Sequence, residues 1–250
     1  MPKILVLNQC TADSSYLGID ALSRSTWSTV SHPDVTVVHY YGALDSENRK
    51  IHNFPHVNPG EAVLQKLDDL AHSYLFCGVN DVFVGSHDPR SAKFMIALEY
   101  CFNNFEFDFL VRCSNTTYND LEKMHRILSG MRRERLYEGA RNMNSDGYYF
   151  VAGWHSYMTR DCVKLVVENK QRYLDLPYSE DLALGVLLMH ELKHTDFKED
   201  IIHTFSLSAH QYDDLENLYN PDDNIFAYRF RSYTLDRYIR FHNHVVRSKN

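Results

Sequence analysis

The stretch KILVLN (residues 3–8) is a short apolar run rich in β-branched residues, and it gives way at once to the polar stretch QCTADSS (9–15). This pattern predicts a buried β-strand whose carboxyl end opens into a loop. VTVVHYYG (35–42) and FDFLVRC (107–113) have the same character. Strands of this kind, alternating with helical segments, favour an α/β fold with a mostly parallel central sheet flanked by helices.

The segments between these strands have helical spacing of apolar residues. Helices are predicted over residues 16–30, over EAVLQKLDDLAHSYL (61–75), and over 89–105, where Pro89 suits the first turn. NDVFVGSHD (80–88) indicates a further strand and loop. Ligands bind beyond the carboxyl ends of the strands in such sheets. We therefore expect one crevice lined by three segments: NQCTADS (8–14), GSHDPR (85–90) and RCSNTTY (112–118).

The second half of the chain is less regular. Residues 146–174 indicate a strand, a loop at Gly153 and a helix that begins near Thr159. SEDLALGVLLMHELKH (179–194) indicates one helix, capped by Ser179 and with two carboxylates in its first turn.

Composition limits the classes of protein and of partner. The chain has 250 residues, and because no linker-like stretch divides it, one domain spanning 1–250 is predicted. The formal net charge of -7 argues against general nucleic-acid binding, although residues 226–250 form a basic tail with six Lys or Arg and one Asp. That tail suits phosphates or an anionic surface.

Cysteine usage and hydropathy indicate a compartment. The five cysteines are scattered and have no C-x-x-C spacing, so neither a disulfide framework nor a cysteine-rich zinc site is predicted. Because we find neither a signal peptide nor an apolar stretch of membrane-spanning length, we predict a cytoplasmic protein without a transmembrane segment.

One short motif suggests a specific enzyme class. His190, Glu191 and His194 match H-E-x-x-H, in which two histidines bind zinc and the glutamate acts as a general base in a metalloprotease. The longer H-x-x-G-x-x-H extension is absent, and a third ligand could only be Glu199 or Glu216. Histidines at the end of a helix also suit the negative pole of its dipole, and this structural role is sufficient to explain them, so the metalloprotease is the lesser alternative.

Several stretches together resemble the β-1,3-galactosyltransferase and Fringe-like glycosyltransferases. Arg24-x-Thr26-Trp27 is similar to their R-x-T-W, and residues 82–112 resemble their acidic residue, lysine-containing helix and following strand. Residues 136–188 resemble the acceptor-side half, with a glycine loop and an E-D-x-x-x-G motif. The resemblance covers most of residues 3–190. It implies a GT-A (Rossmann-like) nucleotide-sugar-binding fold: residues 1–118 would mainly bind the nucleotide sugar, 119–225 mainly the acceptor, and 226–250 would form the basic tail.

The sequence departs from this family at its metal-binding motif. After the strand that ends near Arg112, the family usually has Asp-x-Asp, which holds Mn²⁺ or Mg²⁺, but here Cys113-Ser114-Asn115-Thr116 follows. Hard divalent cations prefer charged oxygen ligands, so these residues do not replace two carboxylates. We therefore name no metal-binding residue, and the sequence leaves dependence on Mn²⁺ or Mg²⁺ open. Without a cation, arginines or a lysine would bind the donor diphosphate.

The resemblance implies an inverting hexosyltransferase, of which galactosyltransferases are one kind, that uses a UDP-sugar donor and a glycan acceptor. Asp181 is the candidate general base and Glu180 the alternative, although both carboxylates also suit a helix start. The candidate donor contacts are Asn8, Arg24, Asp88, Lys93, Arg112, Ser114, Thr116, Arg229 and Arg231. The candidate acceptor contacts are Gly153, Trp154 and His155, with core packing an equal explanation for Trp154. A module that binds the nucleotide sugar but has lost catalysis is the other alternative.

Overall fold

The computed structural model describes residues 1–11, 16–43, 55–66, 73–79, 89–195, 204–206, 218–230 and 235–249. The strands are β1 (Ile4–Gln9), β2 (Val35–Gly42), β3 (Ala62–Lys66), β4 (Ser73–Cys77), β5 (Phe109–Ser114), β6 (Thr117–Asn119), β7 (Tyr137–Met143), β8 (Tyr149–Thr159), β9 (Thr204–Ser206) and β10 (Ala227–Arg229). The α-helices are α1 (Leu17–Ser25), α2 (Pro89–Asn104), α3 (Leu121–Ser129), α4 (Arg160–Glu168), α5 (Lys170–Asp175), α6 (Glu180–Gly185) and α7 (Leu235–Ser248). A 3₁₀ turn spans Trp27–Thr29, and a π-helical turn spans Val186–Glu191.

The central sheet has seven strands in the order β3-β4-β2-β1-β5-β8-β7. Its four middle strands, β4, β2, β1 and β5, run parallel, whereas β3 and β8 join the sheet antiparallel. A second sheet has the order β6-β10-β9. The predicted α/β class with a mainly parallel central sheet is confirmed.

Helices cover both faces of the central sheet, and β1 shows why. Successive side chains of a strand point to opposite faces, so a strand that is apolar at every position must be covered on both sides. Ile4 and Val6 belong to a core cluster that includes residues of α1, α3 and α7. Leu5 and Leu7 belong to another, which includes residues of α2, α4, α5 and α6.

The predicted helix over 61–75 is wrong. The described part of this stretch forms β3 and the first half of β4, which pair antiparallel, with Leu64 opposite Leu75. All five residues of β4 are buried, because β4 also pairs with β2. Pairing with β2 therefore overrides the helical spacing of the leucines. The strand and loop predicted over 80–88 lie outside the described residues.

Two further predictions of secondary structure differ from the observed elements. Gly153 is not in a loop, since β8 runs without a break from Tyr149 to Thr159 and α4 then begins at Arg160, close to the predicted start. The predicted helix over 179–194 is α6 followed by the π-helical turn. Ser179 stands at its amino end, but the Ser179 side chain makes no capping hydrogen bond to the helix backbone.

None of the helices in the described part of the chain is both long and apolar enough to cross a membrane.

Candidate active site

A cavity of about 670 Å³ lies beyond the carboxyl ends of β1 and β5. This size is within the range of small-molecule sites. The described parts of all three segments expected to form one crevice contribute to its wall: Gln9, Cys10 and Thr11 after β1, Arg90 at the start of α2, and Arg112 with Ser114, Asn115 and Thr116 from the end of β5. The predicted crevice is therefore present.

Arg112 is the central charged residue of the cavity wall and is only 2% exposed. Its guanidinium forms an ion pair with the buried carboxylate of Glu180, donates a 3.0 Å hydrogen bond to Oε1 of Gln9, and stacks on the ring of Phe94. The buried Nε and Nη1 atoms find no acceptor in hydrogen-bond geometry among the described residues. Arg112 therefore joins β5, β1 and α6.

The protonation of this pair follows from its surroundings. Burial alone would lower the pKa of Arg112, but the Glu180 carboxylate beside it raises that pKa above its ordinary value. Burial raises the pKa of Glu180, and the positive charges of Arg112 and Lys93 oppose that rise. Arg112 is therefore a permanent cation, and the Glu180 carboxyl group is committed to it.

Asp181 follows Glu180 and also lines the cavity, but its partners are different. Its Oδ2 accepts a 3.0 Å hydrogen bond from the backbone N–H of Gly153. Its Oδ1 accepts bonds from the hydroxyl of Ser179, at 2.8 Å, and from the backbone N–H of Leu182, at 3.0 Å. The carboxylate is thus held by neutral donors rather than by a cation, which fixes its orientation and leaves lone pairs for a further donor.

Gly153 can reach Asp181 because of an irregularity in β8. The pairing of β8 with β7 jumps from Ser156–Gly139 to Val151–Arg141, and the pairing of β8 with β5 ends at His155. The N–H of Gly153 is therefore outside both ladders and donates to Asp181 instead. A Cβ at this position would lie 3.0 Å from Nη2 and 3.1 Å from Nη1 of Arg112, so a larger residue would crowd the guanidinium.

Three further cationic side chains face the cavity: Lys93, Arg90 and Arg229. Lys93 is 2% exposed, and its Nζ donates a 3.0 Å hydrogen bond to the carbonyl oxygen of Cys10. The guanidinium of Arg229 lies over the ring of Trp154, 5.6 Å from its centre. Among the described wall residues, four Lys or Arg side chains thus face two carboxylates, so the lining favours an anionic ligand.

The residues after β5 do not suit a hard divalent cation. Ser114 Oγ lies 2.7 Å from Thr116 Oγ1 and 3.3 Å from Thr117 Oγ1, and Thr117 donates to the backbone of Trp154. These hydroxyls satisfy one another and carry no charge. The two carboxylates among the described wall residues are already engaged, Glu180 by Arg112 and Asp181 by three neutral donors. The described wall therefore offers no carboxylate pair for Mg²⁺ or Mn²⁺.

Three predicted contacts lie elsewhere. Asn8 is fully buried, and its amide is 3.0 Å from Nδ1 of His39, so it belongs to the core. Arg24 pairs with Asp20 on α1. His155 is fully buried against Phe226 because it follows Trp154 in a strand and points to the opposite face. Asp88 and Arg231 lie outside the described residues.

Sequence reasoning missed several wall residues, including Gln9, Arg90, Asn142 and Phe150. Gln9 and Arg90 were inside the segments expected to form the crevice, so their position next to predicted strand and helix ends was an available signal. Asn142 and Phe150 come from paired positions on β7 and β8, and no short motif marks them.

The H-E-x-x-H motif does not form a zinc site. Nε2 of His190 is 3.3 Å from the carbonyl oxygen of Tyr149, Glu191 pairs with Arg172 at 2.5 Å, and Nε2 of His194 is 2.7 Å from Asp161. The helical segment ends at Leu192 and Lys193 adopts a positive φ of 47°, so the two histidines do not share a helix face. Each motif side chain has its own separate partner.

No protein-family model matches this sequence, and none of the curated proteins matches it significantly. Solved structures with a similar outline include the apo form of the glycosyltransferase GlyE of Streptococcus pneumoniae, with 10% identity and a TM-score of 0.49, over 96% of this chain and 60% of that one. The galactosyltransferase LgtC in complex with donor and acceptor sugar analogs has 11% identity and a TM-score of 0.48, over 96% and 95% of the two chains. Both neighbours are glycosyltransferases, but likenesses this weak carry no argument about what this chain does.

Proposed function

We propose that this protein is a glycosyltransferase that transfers a hexose from a UDP-sugar to a hydroxyl group of a glycan acceptor. The observation that carries the proposal is that one cavity combines the Asp181 carboxylate, which accepts hydrogen bonds from neutral donors, with a surplus of cationic side chains among the described wall residues. Transfer from a nucleoside diphosphate sugar needs both a base for the acceptor and positive charge for the leaving group.

The proposed step is a single displacement. Asp181 takes the proton of the acceptor hydroxyl, the acceptor oxygen bonds to the anomeric carbon, and the bond from that carbon to the diphosphate oxygen breaks. UDP leaves with the electron pair, and the anomeric configuration inverts. Glu180 is less suited to the role of base, because its carboxylate is buried against Arg112.

The leaving diphosphate would be stabilised by cationic side chains rather than by a carboxylate-bound cation. Lys93, Arg90 and Arg229 face the cavity, and Arg112 adds a permanent positive charge behind them. Lysine and arginine pair well with phosphate oxygens. Ser114 and Thr116 offer hydroxyl groups in the same cavity wall. Trp154, also in the wall, offers an aromatic surface to a sugar ring.

Calorimetric titration tests the donor. UDP, UDP-galactose, UDP-glucose and UDP-N-acetylglucosamine are each titrated with EDTA and, separately, with Mn²⁺. We expect at least one to bind in EDTA and to bind about 10–100-fold more weakly to Lys93→Met, which loses a charged hydrogen bond. Arg172→Met is the matched control, because Arg172 pairs with Glu191 outside the cavity. Failure of all four ligands would refute the donor class, and a strict need for Mn²⁺ would refute the cation-free arrangement.

The stereochemistry of the product tests the displacement step. The anomeric proton coupling in the NMR spectrum of the product distinguishes inversion from retention. We expect inversion, and a retained configuration would exclude Asp181 as the base of a single displacement while leaving the transferase proposal intact.

A binding module without catalysis is the second candidate. The observation that favours it is the engagement of both Asp181 oxygens by protein donors, which a purely structural carboxylate would also show. Donor binding without transfer to any glycan acceptor, and with equal affinity in Asp181→Asn, would support this alternative.

A further inference from the structure

A second cluster of polar side chains lies at the amino ends of the parallel strands, opposite the cavity. His32 and Asp34 precede β2, and the carbonyl oxygen of Asp34 accepts a hydrogen bond from the backbone N–H of Ile4 at the start of β1. His125, from α3, completes the cluster. One ligand atom from each of the three side chains lies within 4.8 Å of the other two.

His125 has an unused polar atom that points into this cluster. The residue is 6% exposed, and its Nε2 has no hydrogen-bond partner among the described residues. Nε2 is 3.6 Å from Oδ2 of Asp34, which is too long for a hydrogen bond. The side chains of His125 and Asp34 therefore face each other without a direct hydrogen bond.

The spacing of these atoms suits a metal ion better than a direct contact. Two ligands at about 2.0–2.1 Å from a tetrahedral ion are about 3.4 Å apart, close to the observed separation of His125 and Asp34. The imidazole rings of His32 and His125 are 4.2 Å apart at their centres. Coordination by His32 would replace only a long 3.2 Å bond, which its Nδ1 accepts from the backbone N–H of Asp34. Two imidazoles and one carboxylate are a ligand set for a first-row transition metal such as Zn²⁺.

We propose that His32, Asp34 and His125 form a binding site for a divalent transition metal, with Zn²⁺ as the fitting ion. The metal joins the segment before β2 to α3 and leaves its remaining coordination position to water. The cluster lies at the other end of the sheet from the cavity, so the metal takes no part in the proposed sugar transfer. This inference does not depend on the proposed glycosyltransferase activity.

The test uses the full chain after dialysis against EDTA, with Zn²⁺ alone as the titrant. We expect one ion per chain by calorimetry and a rise of Tm with Zn²⁺ concentration. Both effects should be lost in His32→Ala and in Asp34→Asn, whose side chains are half-buried, so the variants should fold. His125→Ala removes the buried ligand, and circular dichroism establishes whether that variant folds.

His194→Ala is the matched control, because His194 belongs to the other described group with metal-ligand spacing, together with Asp161 and Cys162. It should bind Zn²⁺ like the unaltered chain. Co²⁺ provides an independent reading, since a thiolate charge-transfer band would indicate Cys162, whereas the proposed site has no sulfur. The proposal is refuted by that band, by the absence of Zn²⁺ binding, or by unchanged binding in His32→Ala and Asp34→Asn.

Discussion

The two ends of the helical segment formed by residues 180–191 carry ionisable side chains in different surroundings. At its first turn, Glu180 and Asp181 face the cavity, whose wall also includes Arg112. At its carboxyl end and just beyond it, His190, Glu191 and His194 each contact a separate neighbour. The amino end therefore concentrates charge around an open space, whereas the carboxyl end uses its polar groups to attach the segment to the rest of the fold.

The comparison shows that the contacts of a group of side chains indicate its chemistry better than a short sequence motif does. H-E-x-x-H requires an uninterrupted α-helix that places its histidines on one face. A π-helical turn and the positive φ at Lys193 break that relation. At the other end, the backbone N–H of Gly153 and the hydroxyl of Ser179 orient the Asp181 carboxylate toward the cavity.

The strongest test of the comparison exchanges one acid at each end for its amide. We expect Asp181→Asn to reduce the turnover number about 10²–10⁴-fold with unchanged donor affinity, because a general base contributes about that much. Glu191→Gln, at the other end, should keep turnover within about twofold, since the effect of a surface ion pair is small. Product formation under saturating donor is measured for both. Equal losses of turnover in the two variants would contradict the proposed difference in function between the two ends.

The second test removes the cation at each end. Arg112→Met leaves Glu180 buried without its partner and should cost about 3–5 kcal/mol of the free energy of unfolding. Arg172→Met breaks a more exposed pair and should cost about 0–1 kcal/mol. Urea unfolding measures both. The double variant Arg112→Met/Glu180→Met should recover most of the lost stability, and a double variant as unstable as Arg112→Met would argue against the ion pair as the cause.

Gly153→Ala tests the close approach beside Arg112. The added Cβ would lie 3.0 Å from a guanidinium that burial prevents from moving freely, so we expect a loss of about 1–3 kcal/mol of the free energy of unfolding. Gly130→Ala is the matched control, because its Cβ would meet only a carbonyl oxygen at 3.6 Å. A thermal or urea melt compares them. Equal stability of the two variants would contradict a tight contact between residue 153 and the Arg112 guanidinium.

The smallest expected effect concerns Asp161, in the first turn of α4. Its carboxylate lies 2.7 Å from Nε2 of His194, just beyond the end of the segment. Burial would raise the pKa of Asp161, but hydrogen bonds from Thr159, the Arg135 backbone and His194 lower it below its ordinary value of 3.8. This carboxylate therefore stabilises the fold above that value, and its contribution is lost as the pH falls through the lowered folded pKa. We expect Asp161→Asn to be less stable by about 1 kcal/mol or less at pH 7 and the difference to shrink in strong acid. Unfolding at several pH values measures it, and a difference that grows in acid would contradict the assignment.

Much of the fold could be predicted from local patterns. The apolar runs of β1, β2 and β5 and the proline at the start of α2 are local signals, and the wall of the cavity follows from the carboxyl ends of those strands. Pairing over long distances could not be predicted. The leucine spacing over residues 61–75 predicted a helix, yet the described parts of this stretch form strands because β2 provides a buried edge for β4.

The candidate site residues also divide into those that line the cavity and those that point into the core. Residues next to strand ends or helix starts, such as Lys93, Arg112 and Asp181, were predicted and do line one cavity. Asn8 and His155 were predicted but point into the core, because a shift of one residue along a strand reverses the face of the side chain.

The sequence by itself determined the α/β class, the strand ends that surround the cavity and the shortage of carboxylates after β5, since each depends on neighbouring residues and their periodicity. Only the tertiary structure decided that Glu180 is committed to Arg112, that Asp181 is held by Gly153, and that His190, Glu191 and His194 are separated. The physical reason is that hydrogen bonds and ion pairs depend on ångström distances between residues far apart in the chain, which local patterns do not specify.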